Sequence, residues 1–283
     1  YVLGPLTADL SDPFALTKLR VEFDERDELV VAPEVELLGS GPDSPFGMTS
    51  GLALAKHLFR TGDEFYTMRA YVEGDDLRRI HWPSVARSGE LMIRQDESTR
   101  RSTAVLFVDT RDSAVGQTHT PCFEKVISGA ASLGILLMRY GFSVKLATTQ
   151  MPPQRVGEES LLDALAGMTH HSSRALSTGL TRLRMVAASD TTLVVVGAPP
   201  APTELPSWIR VGAMFGPKVG VFVHPTEPDT LPPDRRAQVE GRASQARMSL
   251  SRTGWEVVVL PPSRRLREVW HVERTQPLVI SGS

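Results

Sequence analysis

The stretch TAVLFVDTRDS, Thr103 to Ser113, decides the fold. Its first six residues form a continuous apolar β-run that ends on Asp109 and breaks into a polar turn. A strand with no polar side needs helices on both faces, as in a mainly parallel sheet. Downstream, Pro121–Tyr140 reads as a helix that starts at Thr120-Pro121 and stops at Gly141. Ser143–Thr149 is the next strand, followed by helical spacing at Ser160–Met168 and Arg174–Ala188 and the apolar strand Thr191–Gly197. A short helix at Glu204–Met214, a strand at Lys218–His224, a long helix at Pro233–Thr253 closed by Gly254, a strand at Trp255–Leu260 and a last helix at Arg264–Arg274 complete the alternation. Five strands alternating with helices predict a doubly wound, mainly parallel α/β domain over residues 103–274, with 275–283 as a tail.

Upstream, residues 1–38 hold three short β-like runs, Val2–Leu10, Leu19–Phe23 and Glu28–Ala32, separated by SDPF and DERD turns. So small a sheet needs another layer, and the segment reads as the end of a β-sandwich or a sheet packed on the rest. Residues 39–63 are a Gly/Pro/Ser linker, GSGPDSPF, and a short amphipathic helix, Thr49–Arg60, stopped by Gly62. Residues 64–102 form a block dense in arginine, aromatics and acids.

Composition narrows the function classes. The 283 residues are 41% hydrophobic and 23% charged, which excludes a disordered, collagen-like or membrane-embedded chain. Thirty-one basic against 33 acidic residues give a net charge of −2, so no global field directs the chain to nucleic acid or anionic lipid. The single cysteine, Cys122, excludes an internal disulfide or a multi-cysteine zinc site and suits a reducing compartment. The longest apolar run, Gly129 to Met138, is flanked by Lys125 and Arg139 and is about half of the roughly 20 residues that span a bilayer, so it reads as a buried helix. The chain begins at Tyr1 without a signal peptide, and a targeting segment is expected outside it.

Ligands of open α/β sheets bind beyond the carboxyl ends of the strands, near the switch in strand order. There Asp109-Thr110-Arg111-Asp112-Ser113 resembles the Asp-x-Ser-x-Ser pattern by which von Willebrand factor type A domains hold a divalent ion, and the strand alternation resembles that fold. The resemblance implies two serines, a threonine and a further aspartate as ligands of a near-octahedral ion. Arg111 stands in place of the first serine, however, and Gly197-Ala198-Pro199 has no acid at the later strand end. Asp109, Arg111 and Ser113 are thus degenerate metal-site positions: no metal and no cofactor are expected, and Asp109 is expected to pair with a cation of the protein. Cys122, beside Pro121 at a helix start and near His119, sits where the helix dipole lowers a thiol pKa, but a buried helix cysteine is the favoured reading. His170-His171 lacks metal-ligand spacing and reads as loop surface. No phosphate loop, GxSxG elbow or HExxH occurs, and no catalytic residue is assigned.

The block from Gly74 to Trp82, GDDLRRIHW, brings acids, arginines and an indole within two turns. Asp75 and Arg78, three apart, are placed to pair, and Trp82 to bury its ring and take a guanidinium on its face. Its functional reading is a docking site; the favoured one is an internal cluster that braces the segment. The block resembles the signature of the bacterial family called domain of unknown function 58, R-x-Y-x-x-G-D-x-x-R-x-I-x-W-x-x-x-A-R. Arg69, Tyr71, Gly74, Asp75, Arg78, Ile80, Trp82, Ala86 and Arg87 fall on it in register, with His81 inside it. Leu3–Leu16 and the region from Thr103 onward also resemble the family. The resemblance implies a pair of membrane helices absent from this chain, and association with MoxR-type AAA+ ATPases and transglutaminase-like membrane proteins, but no established reaction.

These readings converge on a non-enzymatic protein-interaction module at the cytoplasmic face of the bacterial membrane, a partner or adaptor of a MoxR-type AAA+ ATPase. Its docking surface is expected on the loops Thr110–Thr120 and Ala198–Pro206. The alternatives are a divalent-cation-dependent ligand binder using Asp109 and Ser113, and an envelope-related enzyme using Cys122 or the acids of the motif.

Overall fold

The computed structural model describes residues 2–14, 16–38, 66–72, 75, 80–96, 102–170 and 176–272. The linker and helix expected at 39–63, the tail at 275–283, and Gly74, Arg78 and His171 lie outside them. In chain order the elements are β1 (Val2–Leu3), β2 (Leu6–Ser11), β3 (Lys18–Phe23), β4 (Asp27–Glu28), β5 (Tyr66–Ala70), α1 (Trp82–Ser88), β6 (Met92–Asp96), β7 (Thr103–Val108), α2 (Asp112–Val115) and α3 (Pro121–Arg139). Then come β8 (Ser143–Thr148), β9 (Gln154–Arg155), α4 (Glu158–Ala166), α5 (Leu176–Arg184), β10 (Thr191–Gly197), α6 (Leu205–Gly212), β11 (Lys218–Val223), α7 (Pro233–Ser251), β12 (Trp255–Leu260) and α8 (Leu266–Val272).

Six strands form one sheet in the order β12-β11-β10-β7-β8-β9. All pairs are parallel except β8 with β9, which are antiparallel at the edge. The expected doubly wound α/β sheet is therefore present, with one more strand than the alternation predicts, and its architecture is consistent with a von Willebrand A-like fold. Alternate residues of β7 point into two cores, as the two-residue period of a strand requires. Ala104, Leu106 and Val108 face α3, α4 and α8; Val105 and Phe107 face α5, α6 and α7. In the second core Phe107 meets Trp208 edge to face at 5.5 Å, and Trp208 meets Trp255 at 6.3 Å.

The central helix α3 opens on Thr120, whose Oγ1 accepts from the Phe123 amide at 3.3 Å, with Pro121 in its first turn. It is long and apolar enough to cross a membrane, but most of it is buried between the sheet and α4. Gly134 sets that approach: a Cβ there would lie 2.4 Å from Leu161 Cδ2.

The N-terminal segment differs from expectation. Instead of three strands it forms four, in two antiparallel pairs, β2 with β3 and β1 with β4, separated at Gly4-Pro5. Beyond Glu28 the chain leaves the β conformation, because it becomes a strap along α3 rather than an edge. Ser128 Oγ donates to the Glu34 carbonyl at 2.8 Å, the Glu36 amide donates to Ser132 Oγ at 2.9 Å, and Leu38 enters the core. The buried Glu36 carboxylate accepts from Lys125 Nζ at 3.0 Å and from the first amides of α8, Leu266 at 3.1 Å and Arg267 at 3.0 Å. Burial pushes its pKa up, but the two amides and the lysine outweigh it and hold the carboxyl below its ordinary value. Among the described residues no second layer covers the β2–β3 ribbon.

Candidate functional site

The strand order reverses between β7 and β10, so the carboxyl ends of these two strands flank the switch point. Asp109 continues β7 by one bond, its amide donating to the Val196 carbonyl at 2.9 Å. Gly197 makes room for its side chain, since a Cβ there would come within 2.8 Å of Asp109 Cβ. Arg111 then folds back over the acid. Its Nε donates to Asp109 Oδ1 at 2.9 Å, Nη2 to Asp109 Oδ2 at 2.7 Å, and Nη1 to Glu204 Oε1 at 2.6 Å. The other Glu204 oxygen accepts from the Ala201 amide at 3.0 Å, closing the turn that leads into α6.

Sequence reasoning missed Glu204. The strand end itself carries no acid, but the turn after Pro200 carries one back to it. Burial raises the Glu204 pKa, while hydrogen bonds from Arg111 and Ala201 and the charges of Arg111 and Arg242 lower it further, so the group stays ionised. Burial lowers the Arg111 pKa, but its hydrogen bonds to Asp109 and Glu204 and their charges outweigh it and raise the value. A fixed guanidinium thus lies between two carboxylates at the carboxyl end of β7. Asp109 has its expected protein cation in Arg111. Ser113 is exposed on the short helix α2 and is not drawn into the cluster. Nor do three His, Cys, Asp or Glu side chains converge as a metal needs among the described residues, so this edge does not fit a divalent ion.

Around the cluster lie buried polar groups. Thr110 Oγ1, Thr149 Oγ1 and His224 Nδ1 have no hydrogen-bond partner among the described residues. Burial lowers the His224 pKa against the pull of Glu240 and Glu227, favouring the neutral ring. The expected effect of the helix start on Cys122 is overturned. The thiol is fully buried, 3.8 Å from the Val223 carbonyl, and burial, aided by the charge of Asp109, pushes its pKa up to about 12. His119 is exposed at positive φ, 3.3 Å from Glu124. His170 is a latch rather than free loop surface: its Nδ1 accepts from the Thr118 amide at 2.9 Å, and its own amide donates to Thr118 Oγ1 at 2.9 Å.

The expected docking loops are partly closed. Ala198, Pro199 and Pro200 are buried, as are Thr110 and Arg111, leaving Ser113, Gln117, His119, Pro202, Thr203 and Pro206 exposed. The proline-rich run therefore packs first and turns outward only at its end.

In the signature block, β5 pairs with β6, setting Arg69 opposite Ile93, and the Tyr71 amide donates to the Leu91 carbonyl at 2.8 Å. Asp75 closes a turn, accepting the Val72 amide at 3.0 Å and returning its own amide to the Val72 carbonyl at 3.1 Å. Its expected partner Arg78 lies outside the described residues. Ile80 bridges to the buried Ile93, and His81 Nδ1 meets Ser84 Oγ at 2.9 Å at the start of α1. The expected burial of Trp82 is corrected: the side chain is 65% exposed, and Pro83, Ala86 and Arg87 share its outward position. Residues at i, i+1, i+4 and i+5 of a helix share a face, and here Ser84 and Val85 take the inward one.

The profile of the family described as Protein of unknown function DUF58 matches residues 67–253. The chain belongs to this family. The matched span begins inside β5, takes in the signature block and ends just beyond α7, so it covers both the block and most of the α/β sheet. No curated protein and no solved structure matches the chain.

Proposed function

We propose that this DUF58 chain is a non-enzymatic protein-interaction module that docks a MoxR-type AAA+ ATPase through the carboxyl edge of its sheet. On the strength of the resemblance drawn from the signature block, its proposed setting is the cytoplasmic face of a bacterial membrane, with a transglutaminase-like membrane protein as a further partner. The observation that carries the reading is the Asp109–Arg111–Glu204 cluster, in which one guanidinium is bonded to both carboxylates at the switch point. An edge whose carboxylates are already held by an internal cation offers fixed shape and polarity to a protein surface rather than an open valence to an ion. Its outward residues, Ser113, Gln117, Pro202 and Thr203, sit on a short helix and a turn anchored by buried neighbours, so little entropy is lost on docking.

The test is capture of a purified MoxR-type ATPase by the immobilised chain, with Ser113→Arg and Thr203→Arg as variants. Both positions are exposed, so the melting midpoint is expected to stay and capture to fall at least tenfold. No capture by the parent, or equal capture by both variants, overturns the reading.

A further inference from the structure

The ribbon β2–β3 is amphipathic. In its register Leu6 faces Phe23, Ala8 faces Val21 and Leu10 faces Leu19, so every apolar pair shares one face. Thr7 with Glu22, Asp9 with Arg20 and Ser11 with Lys18 make the other face polar throughout, clamped by a fork from Arg20 to Asp9 at 2.7 and 2.9 Å. The apolar face is bare: Leu6 is 65% exposed, Leu10 55%, Leu19 61% and Phe23 46%, and at the tip Phe14 and Leu16 reach 82% and 84%. These six side chains present on the order of 800 Å² of apolar surface, above the largest patch of an ordinary monomer and about what one partner gives to a standard interface.

We propose that this face docks on the same face of a second copy of the chain, making a two-layer, four-stranded packing about a two-fold axis. Two observations favour a second copy over another occupant. The face carries no charge, so an identical face brings no like charges together, whereas a partner chosen by charge finds nothing to read. Its area already matches one half of a stable dimer. The charged pairs of the opposite face stay in water, and the two-stranded ribbon, marginal alone, gains the layer that such a sheet requires. This interface is independent of the carboxyl edge proposed for the ATPase.

Sedimentation equilibrium of the whole chain across the micromolar range is the test. A dimer is expected, weakened at least tenfold by Leu19→Asp and unchanged by Arg20→Ala, which alters only the polar face. The single native cysteine is buried, so Ala8→Cys at the centre of the face is a clean reporter. A short bismaleimide is expected to link it to its mate only at concentrations where the dimer forms. A monomer throughout, a dimer indifferent to Leu19→Asp, equal loss in the Arg20→Ala variant, or no cross-link each overturns the proposal. So does a monomer whose ribbon is protected only by lipid vesicles, which would assign the face to a bilayer.

Discussion

Arg111 holds together two acids that would otherwise repel each other in a buried space. Arg111→Met removes the cation and keeps much of the stem, leaving Asp109 and Glu204 uncompensated, and is expected to lower the free energy of unfolding by about 3–5 kcal/mol. Adding Asp109→Asn and Glu204→Gln to that variant is expected to restore most of the loss, because the penalty lies in the unpaired charges. Urea titration measures both; a loss below about 1 kcal/mol for Arg111→Met means that the network is screened by water. The carboxylates also set an acid limit. Glu36 and Glu204 are held below their ordinary values, so the unfolded chain binds protons that the folded one does not. Their stabilisation is complete above the unfolded value of about 4.3 and is lost as pH falls through the lower folded values. Glu36→Gln is expected to flatten the acid limb of a stability profile below that point. Cys122, with its pKa pushed up to about 12, is expected to resist thiol reagents at pH 8 in the folded chain and to react at once in urea.

At the scale of elements, Gly134 lets α3 approach Leu161 of α4 closely, since a Cβ there would lie 2.4 Å from Leu161 Cδ2. Gly134→Ala drives a methyl into Leu161 and is expected to cost about 1–3 kcal/mol, in spite of the better helix propensity of alanine, and Leu161→Ala in the same chain is expected to relieve the clash at the price of a cavity. Thermal melts of the three variants check it. What the sequence disclosed follows from the same kind of contact. β7, β10 and β11 were legible because burial on both faces confines polar residues to the start of each strand. β9 was not, for Gln154 and Arg155 are two exposed polar residues whose pairing comes only from the neighbouring β8. Glu204 was hidden for a geometric reason: its approach to Arg111, 93 positions earlier, depends on the turn from Ala201, and no local spacing encodes it. Trp82 misled because an indole among acids and arginines suits a brace and an outward anchor equally well, and only the pairing of Ile80 with the buried Ile93 turns that helix face outward.

For the molecule as a whole, the internal guanidinium predicts indifference to divalent ions. The melting midpoint of the whole chain is expected to be the same in millimolar magnesium as in chelator, whereas an ion bound at about a hundred times its dissociation constant would add roughly 2.7 kcal/mol. A rise that vanishes in Asp109→Ala would show that an ion displaces Arg111. The strap carries a different consequence, one of timing. Glu36 and Leu266 are 230 residues apart, whereas Lys125 follows Glu36 by only 89. At a ribosomal pace of about 5–20 residues per second, the carboxylate can meet its lysine roughly seven to thirty seconds before α8 emerges. During that interval the acid has a provisional partner, and when α8 arrives it finds its amino end already awaited by a placed charge. A strap made early thus waits for a helix made much later, and docking of α8 completes the carboxylate's set of donors.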